Sequence, residues 1–348
     1  MIGSSLIIGS GSAGATELRK APVKKVNSSC KKSQRGKTAR DKKKRKLVCK
    51  KVGKKYRWKL RSTTPGGVPV RYRYVDTTMS CSNSMRLMAI GTDNVARVER
   101  VIRNAPGNTQ ITPVSYKNGR LMYEVFNCSS NTYQFFLMRS LTDSAPVTLS
   151  EASSDSLEGA LSPDGLHAFI ARRGSSNYTI SDLDWASGGS SLYASFSASG
   201  RSVDGLAAGT GDVVYVQFEA WSGGTMTVQS FNRGWSSGST VLSLAGSGGF
   251  TQGFASNSSE ALAQTNSSTL NVRLPFYAGS TPQSIPACSS GYTKDGKYMA
   301  WVADTVAMVT CSRGGVSRRN ELVSFAGGSN SRTAISGGMD GINPLGLS

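Results

Sequence analysis

A turn motif that recurs at near-constant spacing constrains the fold of this chain more than any other feature. In its clearest copies, a tight turn precedes a run of apolar residues, at Asn118-Gly119, Asp164-Gly165 and Asp295-Gly296. Asn-Gly and Asp-Gly pairs tolerate the positive φ angles of hairpin turns, so each copy predicts a turn that leads into an antiparallel strand. Weaker copies occur at Ser84, Gly211 and Ser259.

The spacing of these turns matches one blade of a β-propeller. Gly119 and Gly165 are 46 residues apart, as are Gly165 and Gly211, and the next two intervals are 48 and 37 residues. After each turn and strand come a second turn and another strand, and most copies end in a Gly/Ser-rich turn with a short apolar segment, which makes about four strands per repeat. Helical periodicity is not sustained anywhere. The sequence therefore predicts an all-β fold with six blades, and the spacing also allows five or seven.

Two of the repeats carry a family resemblance. Ser162-Pro-Asp-Gly-Leu-His-Ala-Phe-Ile170, echoed by Thr293-Lys-Asp-Gly-Lys-Tyr-Met-Ala-Trp-Val302, resembles the repeat of the six-bladed propellers related to TolB of the Tol-Pal envelope system. The resemblance covers roughly residues 79–348. It implies the fold better than the function, because propellers host both binding and catalysis. The final residues, 341–348, are expected to supply a strand that closes the ring.

Nearly all of the net charge of +20 lies in one N-terminal stretch. Residues 16–61 contain 21 of the 41 Lys and Arg residues but only two of the 21 acidic residues, Glu17 and Asp41. The rest of the chain is almost neutral, so we expect a basic module at residues 16–62, a linker at 63–78 and the propeller at 79–348. Residues 1–15 combine a short apolar patch with small residues and resemble the end of a truncated secretory signal segment.

The basic module is expected to be a small hairpin. Leu47-Val-Cys49 and Tyr56-Arg-Trp58 predict two short strands around a turn at Gly53. A hairpin of this size buries too little apolar area to be stable alone, so we expect a disulfide between Cys30 and Cys49 to staple it. The order of Cys, Gly-Lys turn, second Cys and Gly-Lys-x-x-x-Trp resembles a small module of secreted actinobacterial proteins.

The six cysteines favour disulfides and hence an oxidising compartment. Their number is even, their gaps are wide and no C-x-x-C pair occurs. Sequence order suggests the pairs Cys30/Cys49, Cys81/Cys128 and Cys288/Cys311, although six cysteines allow many other pairings. Six buried free thiols in a cytosolic protein are the alternative. Because the chain has one histidine, a zinc site of the usual ligand spacing is not available, and we predict no metal and no cofactor.

The charge of the module predicts a surface that attracts polyanions, with an affinity that falls as salt rises. The expected ligands are anionic cell-envelope polymers or lipid head groups. Nucleic acid competes on charge and could stack on Tyr56 and Trp58, but the arm has no recognisable nucleic-acid fold and its disulfide favours an extracytosolic location. A solvated tail without a ligand is the remaining alternative. The candidate polyanion-binding residues are Lys31, Lys32, Arg35, Lys37, Arg40, Lys42, Lys43, Lys44, Arg45, Lys46, Lys50, Lys51, Lys54, Lys55 and Arg57.

Two motifs that resemble catalytic or cofactor sites are better explained by structure. Gly9-Ser-Gly-Ser-Ala-Gly14 spells G-x-G-x-x-G but is followed by Lys, Arg and Cys residues instead of the helix and acidic residue of a dinucleotide fold. His167, which lies on a predicted strand, could act as a general base only beside a positioned nucleophile, and the sequence has no G-x-S-x-G nucleophile elbow. We therefore expect no catalysis. The alternative is a hydrolase or lyase that uses the propeller channel.

These features together predict an exported protein, located in the extracellular space or the cell envelope, that acts as a monomeric binding or scaffold protein. The propeller loops would bind a protein or glycan partner. The basic module would hold the molecule on an anionic polymer.

Overall fold

The computed structural model describes residues 23–43, 46–60, 67–78, 80–155, 157–220, 224–246, 249–254, 260–266, 268–273, 283–303, 305–313, 317–325, 330–337 and 344–347. The chain divides into two compact units, Met1–Ser62 and Thr63–Ser348. The predicted signal segment at residues 1–15, with its Gly9–Gly14 motif, lies outside the described residues.

The first unit contains one 3₁₀ turn, Lys32–Gln34, and a three-stranded antiparallel sheet. Its strands are β1 (Thr38–Arg40), β2 (Lys46–Val52) and β3 (Lys55–Leu60), in the order β1-β2-β3. The predicted hairpin is the β2–β3 pair, and β1 is an additional strand. Only one residue of β1, Ala39, is buried, so the strand has too little apolar alternation to be predicted from its sequence.

A very small core holds the first unit together. Ala39, Leu47, Cys49 and Trp58 are buried in one cluster, against which Tyr56 packs. Cys30 and Cys49 form a disulfide with Cα atoms 6.1 Å apart. Because so few apolar side chains are buried, the disulfide is expected to contribute a large share of the stability of this unit.

The described residues of the second unit form six four-stranded antiparallel sheets, which are the blades of a propeller. The strands of the first three blades in sequence are β4 (Val70–Asp76), β5 (Ser84–Gly91) and β6 (Ala96–Asn104); β7 (Thr109–Lys117), β8 (Arg120–Asn127), β9 (Thr132–Met138) and β10 (Val147–Thr148); and β11 (Leu157–Leu161), β12 (His167–Arg173), β13 (Asn177–Asp184) and β14 (Gly189–Ser197). The remaining strands are β15 (Arg201–Ala208), β16 (Val213–Ala220), β17 (Thr225–Asn232) and β18 (Ser239–Ala245); β19 (Gly249–Phe254), β20 (Glu260–Thr265), β21 (Thr269–Arg273) and β22 (Gln283–Pro286); and β23 (Thr293–Ala303), β24 (Val306–Arg313), β25 (Ser317–Ser324), β26 (Ser331–Ile335) and β27 (Leu345–Gly346).

The last strand closes the ring. In five blades the strands pair in chain order, whereas the blade of β4, β5 and β6 takes its fourth strand from the other end of the chain. Leu345 of β27 lies opposite Val75 of β4, and Gly346 lies opposite Tyr74. The prediction that residues 341–348 supply a closing strand is therefore confirmed, as is the prediction of six blades. The innermost strands β7, β11, β15, β19, β23 and β27 neighbour each other around the centre.

Two of the three clear copies of the turn motif stand where the sequence placed them, as does the weaker copy at Gly211, which connects β15 to β16 with a φ of 72°. Asn118 and Gly119 connect β7 to β8 with φ angles of 47° and 84°, and Gly165 connects β11 to β12 with a φ of 71°. Such angles suit Asn and Gly and disfavour most other residues. In the second and third blades, the motif therefore marks the turn from the innermost strand to the next.

The third predicted turn, Asp295-Gly296, is wrong. Both residues lie inside β23, at a point where its pairing with β24 shifts between Lys294 and Met299. The turn of this blade instead falls between Ala303 and Val306, where the sequence has no glycine to reveal it. This explains why the interval that ended at Gly296 was shorter than the others.

The propeller also begins earlier than residue 79. Strand β4 lies within residues 63–78, for which the sequence predicted a linker. The innermost strand of its blade is β27, more than 250 residues away, so no local turn motif precedes β4. The weak turn near Ser84 instead precedes β5, the strand after β4.

The other two cysteine pairs join neighbouring parts of the propeller. Cys81, between β4 and β5, bonds to Cys128, which follows β8 in the next blade. Cys288, which precedes β23, bonds to Cys311 in β24. All six cysteines are paired as sequence order suggested.

The core of the second unit consists of apolar clusters, several of which lie between neighbouring blades. The largest lies between the third and fourth blades and contains Tyr193, Phe196, Phe218 and Phe231. The rings of Phe196 and Phe218 meet edge to face with centroids 5.2 Å apart, a favoured aromatic geometry. This packing fixes the two blades whose loops carry the cleft described further below.

Candidate polyanion-binding site

An open depression of about 630 Å³ lies on the first unit and is lined mainly by lysines. Its lining residues are Val23, Lys24, Lys25, Val26, Asp41, Lys42 and Lys43. The backbone N–H of Lys24 donates a hydrogen bond of 2.7 Å to the carbonyl of Arg40, and Val23 forms a β-bridge with the same residue. This pairing lays the segment before Cys30 along β1 and brings two lysine pairs, far apart in sequence, to one concave surface.

The lining of this depression is positive. Lys42 and Lys43 are exposed, as is Lys25, whereas Asp41, the acidic residue among them, is buried with 7% of its surface exposed. Concave surfaces lined by one sign of charge focus the field and attract counter-ions, including multivalent ones. The depression is therefore suited to a phosphate or carboxylate group of a polymer.

A second group of basic residues lies on β2 and β3. Lys50 stands directly opposite Arg57, Val52 stands opposite Lys55, and Val48 stands opposite Lys59. Because side chains alternate between the faces of a sheet, these residues share one face, while Cys49 and Trp58 point to the core on the other. Like charges directly opposite each other destabilise a strand pair. This arrangement becomes favourable when an anion lies across the face.

Asn27 orients two of these basic side chains. Its φ of 65° places it in the left-handed region, which Asn tolerates better than most residues. The Nζ of Lys59 donates to its Oδ1 at 2.7 Å, and Nη1 of Arg57 donates to its backbone carbonyl at 3.0 Å. These two cations therefore hold defined positions on the basic face.

Most of the predicted polyanion-binding residues are exposed, and the structure adds three. Arg57 is half-buried, Lys46 lies in β2, and Lys44 and Arg45 fall outside the described residues. The additions are Lys24, Lys25 and Lys59, which were omitted because they lie outside the densest charge run, and only chain pairing shows that the first two line the depression. The exposed predicted residues are Lys31, Lys32, Arg35, Lys37, Arg40, Lys42, Lys43, Lys50, Lys51, Lys54 and Lys55.

The structure removes one observation that favoured nucleic acid. Trp58 is 2% exposed and belongs to the core, and Tyr56 packs against the same core. The prediction that Trp58 could stack on bases is therefore wrong, because its ring faces Leu47 and the disulfide.

The propeller gives no metal centre within the part of the chain that the structure describes. Among those residues, no group of three or more His, Cys, Asp or Glu side chains could hold a metal ion. None of the helices in the described ranges is long and apolar enough to cross a membrane. The three disulfides indicate an oxidising environment.

Comparison with known proteins identifies the fold. No protein-family model and no curated protein matches the chain. Among solved structures, TolB from Acinetobacter baumannii is 11% identical with a TM-score of 0.56, over 80% of this chain and 68% of that one. A chain of the nidogen/laminin complex is 10% identical with a TM-score of 0.55, over 79% of this chain and 97% of that one. An oligogalacturonate lyase in complex with manganese is 10% identical with a TM-score of 0.46, over 79% of this chain and 75% of that one.

At such low identity these similarities show the fold alone. They support a TolB-like β-propeller, in agreement with the six sheets and the closing strand. The β-propeller fold occurs both in binding proteins and in enzymes. The fold therefore does not establish whether this chain is catalytic.

Proposed function

We propose that this protein is an exported β-propeller binding scaffold whose N-terminal basic module attaches it to an anionic polymer of the cell envelope. The disulfides and the propeller fold support the scaffold part. The module supplies the attachment, and the propeller loops supply recognition of a second partner.

The observation that carries this proposal is the charge of a folded unit with almost no core. The first unit buries four apolar side chains in one cluster, yet presents a lysine-lined depression and a basic face on which Lys50 stands directly opposite Arg57, with Lys55 and Lys59 on the same face. Self-repulsion of this kind works against a compact fold. An arrangement that is costly to the free module is expected when its ligand is a polyanion that offsets the repulsion.

An envelope polymer fits the structure better than nucleic acid. The module is held by a disulfide, which favours a location outside the reducing cytosol. Trp58 is in the core and offers no stacking face. The resemblance of the module to one in secreted actinobacterial proteins points the same way. Repeated phosphate or carboxylate groups, as in envelope polymers or lipid head groups, would occupy the depression and the basic face together.

The test uses the full chain and a fluorescent inorganic polyphosphate of defined length. The variant carries Gln at the four lysines of the depression, Lys24, Lys25, Lys42 and Lys43. A matched control carries Gln at four arginines of the propeller, Arg71, Arg100, Arg172 and Arg313. Binding is measured by fluorescence anisotropy at several salt concentrations, with a DNA duplex as competitor.

The magnitude of the slope of log K against log salt should fall by about 3 in the lysine variant, since each of four lost contacts contributes about 0.7 on the scale of single-stranded nucleic acids. The control should keep the slope of the wild type. Equal slopes in all three proteins would contradict the proposal that the depression binds polyphosphate. A strong preference for the duplex over polyphosphate at equal charge density would contradict the envelope assignment.

A further inference from the structure

A second concave site lies on the propeller, between loops of the third and fourth blades. It has a volume of about 350 Å³ and is called the blade 3–4 cleft below. Its charged lining comprises Asp164, His167, Asp182, Asp212 and Arg233. The sequence identified Asp164 and the turn at Gly211 and Asp212 only as turn formers, and His167 only as a strand residue.

A fixed network of ion pairs forms one wall of the cleft. Nδ1 of His167 lies 2.8 Å from Oδ1 of Asp182, and Nη2 of Arg233 donates to the other oxygen of Asp182 at 2.6 Å. Arg233 also donates from Nε to Oδ2 of Asp212 at 3.1 Å. The guanidinium carbon lies 4.9 Å from the centroid of the Tyr193 ring, which holds it in a cation–π contact. The geometry of the wall is thus set before any ligand arrives.

The lining carries an excess of negative charge. Three carboxylates, Asp164, Asp182 and Asp212, face one guanidinium, which already bonds to two of them. The Oδ1 of Asp164 accepts hydrogen bonds from the Ser162 hydroxyl and the Leu166 N–H. A cationic group that enters the cleft would meet this excess of carboxylate at close range, whereas an anion would be repelled.

Two exposed apolar side chains stand next to the lining of the cleft in the sequence. Leu166, which is 45% exposed, lies between Asp164 and His167 in the turn before β12. Trp235, which is 41% exposed, follows Arg233 by two residues, and the backbone N–H of the intervening Gly234 donates to the carbonyl of Tyr193 at 2.7 Å. Exposed aromatic and apolar side chains beside a charged recess are typical of interaction surfaces.

From this combination we infer that the blade 3–4 cleft binds a protein segment that carries a Lys or Arg side chain between apolar residues. The cation would enter the acidic cleft, and the flanking apolar side chains would pack on Leu166 and Trp235. The inference rests on the proposed binding function of the propeller and names its surface and the chemistry of its partner. A glycan partner lacks the required combination of a cation with flanking apolar side chains.

The single histidine of the chain offers a direct test, because its imidazole signals in a proton NMR spectrum report on the cleft alone. The full-length protein is titrated with the peptide acetyl-Leu-Lys-Leu-amide. The matched peptide with Glu in place of Lys, and a tetramer of N-acetylglucosamine, are the comparison probes.

The lysine peptide should shift the His167 signals and reach saturation, and the glutamate peptide and the glycan should not. Asp164→Asn and Trp235→Ala should each raise the Kd of the lysine peptide by at least about fivefold. Asp155→Asn, which removes an exposed carboxylate of another loop, should bind like the wild type.

Equal shifts with both peptides, or no saturable shift with the lysine peptide, would overturn the inference. A response to the glycan alone would replace the protein partner by a sugar. Either failure would leave polyphosphate binding by the basic module untouched, so the two proposals are separated by their assays.

Discussion

Replacing Glu124 by glutamine should stabilise the propeller at pH 8 and change its stability little at pH 4. Glu124 lies in the middle of β8, on the same face as Met122 and opposite Phe135, both of which are buried in the cluster shared with the third blade. Within the described part of the chain, neither an ion pair nor a hydrogen bond reaches its carboxylate. Burial therefore raises the pKa of Glu124 from 4.5 to about 7.

The sign and size of the effect follow from this difference. Below pH 4.5 the carboxyl group of Glu124 is protonated in both the folded and the unfolded chain, so it does not change the free energy of unfolding. Between pH 4.5 and 7 the unfolded chain ionises while the folded chain stays neutral, so stability is lost as pH rises. Above pH 7 the full penalty applies, which is about 3 kcal/mol at most for a shift of this size. Glutamine cannot ionise and avoids the penalty.

The assay is urea unfolding of the full-length protein at pH 4, 6 and 8, followed by circular dichroism. Glu124→Gln is compared with the wild type and with Glu151→Gln, which removes an exposed carboxylate. The advantage of Glu124→Gln should grow from near zero at pH 4 to about 2–3 kcal/mol at pH 8. A constant difference across this range would refute the argument, because a simple packing effect does not depend on pH.

Three further predictions concern ring closure, the module and the compartment. Gly346→Ala should destabilise the propeller by about 1–3 kcal/mol and speed hydrogen exchange in β4, since an added Cβ would meet the backbone carbonyl oxygen of Trp301; unchanged exchange would contradict closure by β27. Replacing both Cys30 and Cys49 by serine should lower the free energy of unfolding of the module by about 2–5 kcal/mol. Trp58 should then become exposed and limited proteolysis should cut near β2, while the propeller still unfolds at its usual temperature. A module that resists proteolysis would show that its core is sufficient without the disulfide. Mass spectrometry of protein isolated from its own organism should find all six cysteines oxidised, and free thiols would contradict export.

The sequence was sufficient for the fold where local chemistry dominates. The turns at Gly119 and Gly165 could be predicted because positive φ angles demand Asn and Gly, and their constant interval indicated the blade. The turn between β23 and β24 carries no such residue, so its position was missed, and an Asp-Gly pair inside a strand was mistaken for it. Strand β4 was missed because its partner β27 comes from the far end of the chain.

The candidate sites could be predicted only in part. Charge density alone indicated a basic module, since net charge does not depend on how the chain folds. The depression could not be foreseen, because the pairing of Val23 with Arg40 brings its lysines together. The blade 3–4 cleft depends on Asp182 and Arg233, which are 51 residues apart and meet through packing of neighbouring blades.

Sedimentation of the protein with purified cell walls of its own organism tests the central claim most directly. The wild type, the four-lysine variant of the depression and the four-arginine control of the propeller are mixed with walls at low and physiological salt. The account predicts that wild type and control pellet with the walls at low salt and are released as salt rises, and that the lysine variant stays largely in the supernatant. Equal pelleting of all three proteins, or pelleting that salt does not weaken, would contradict attachment through the basic module.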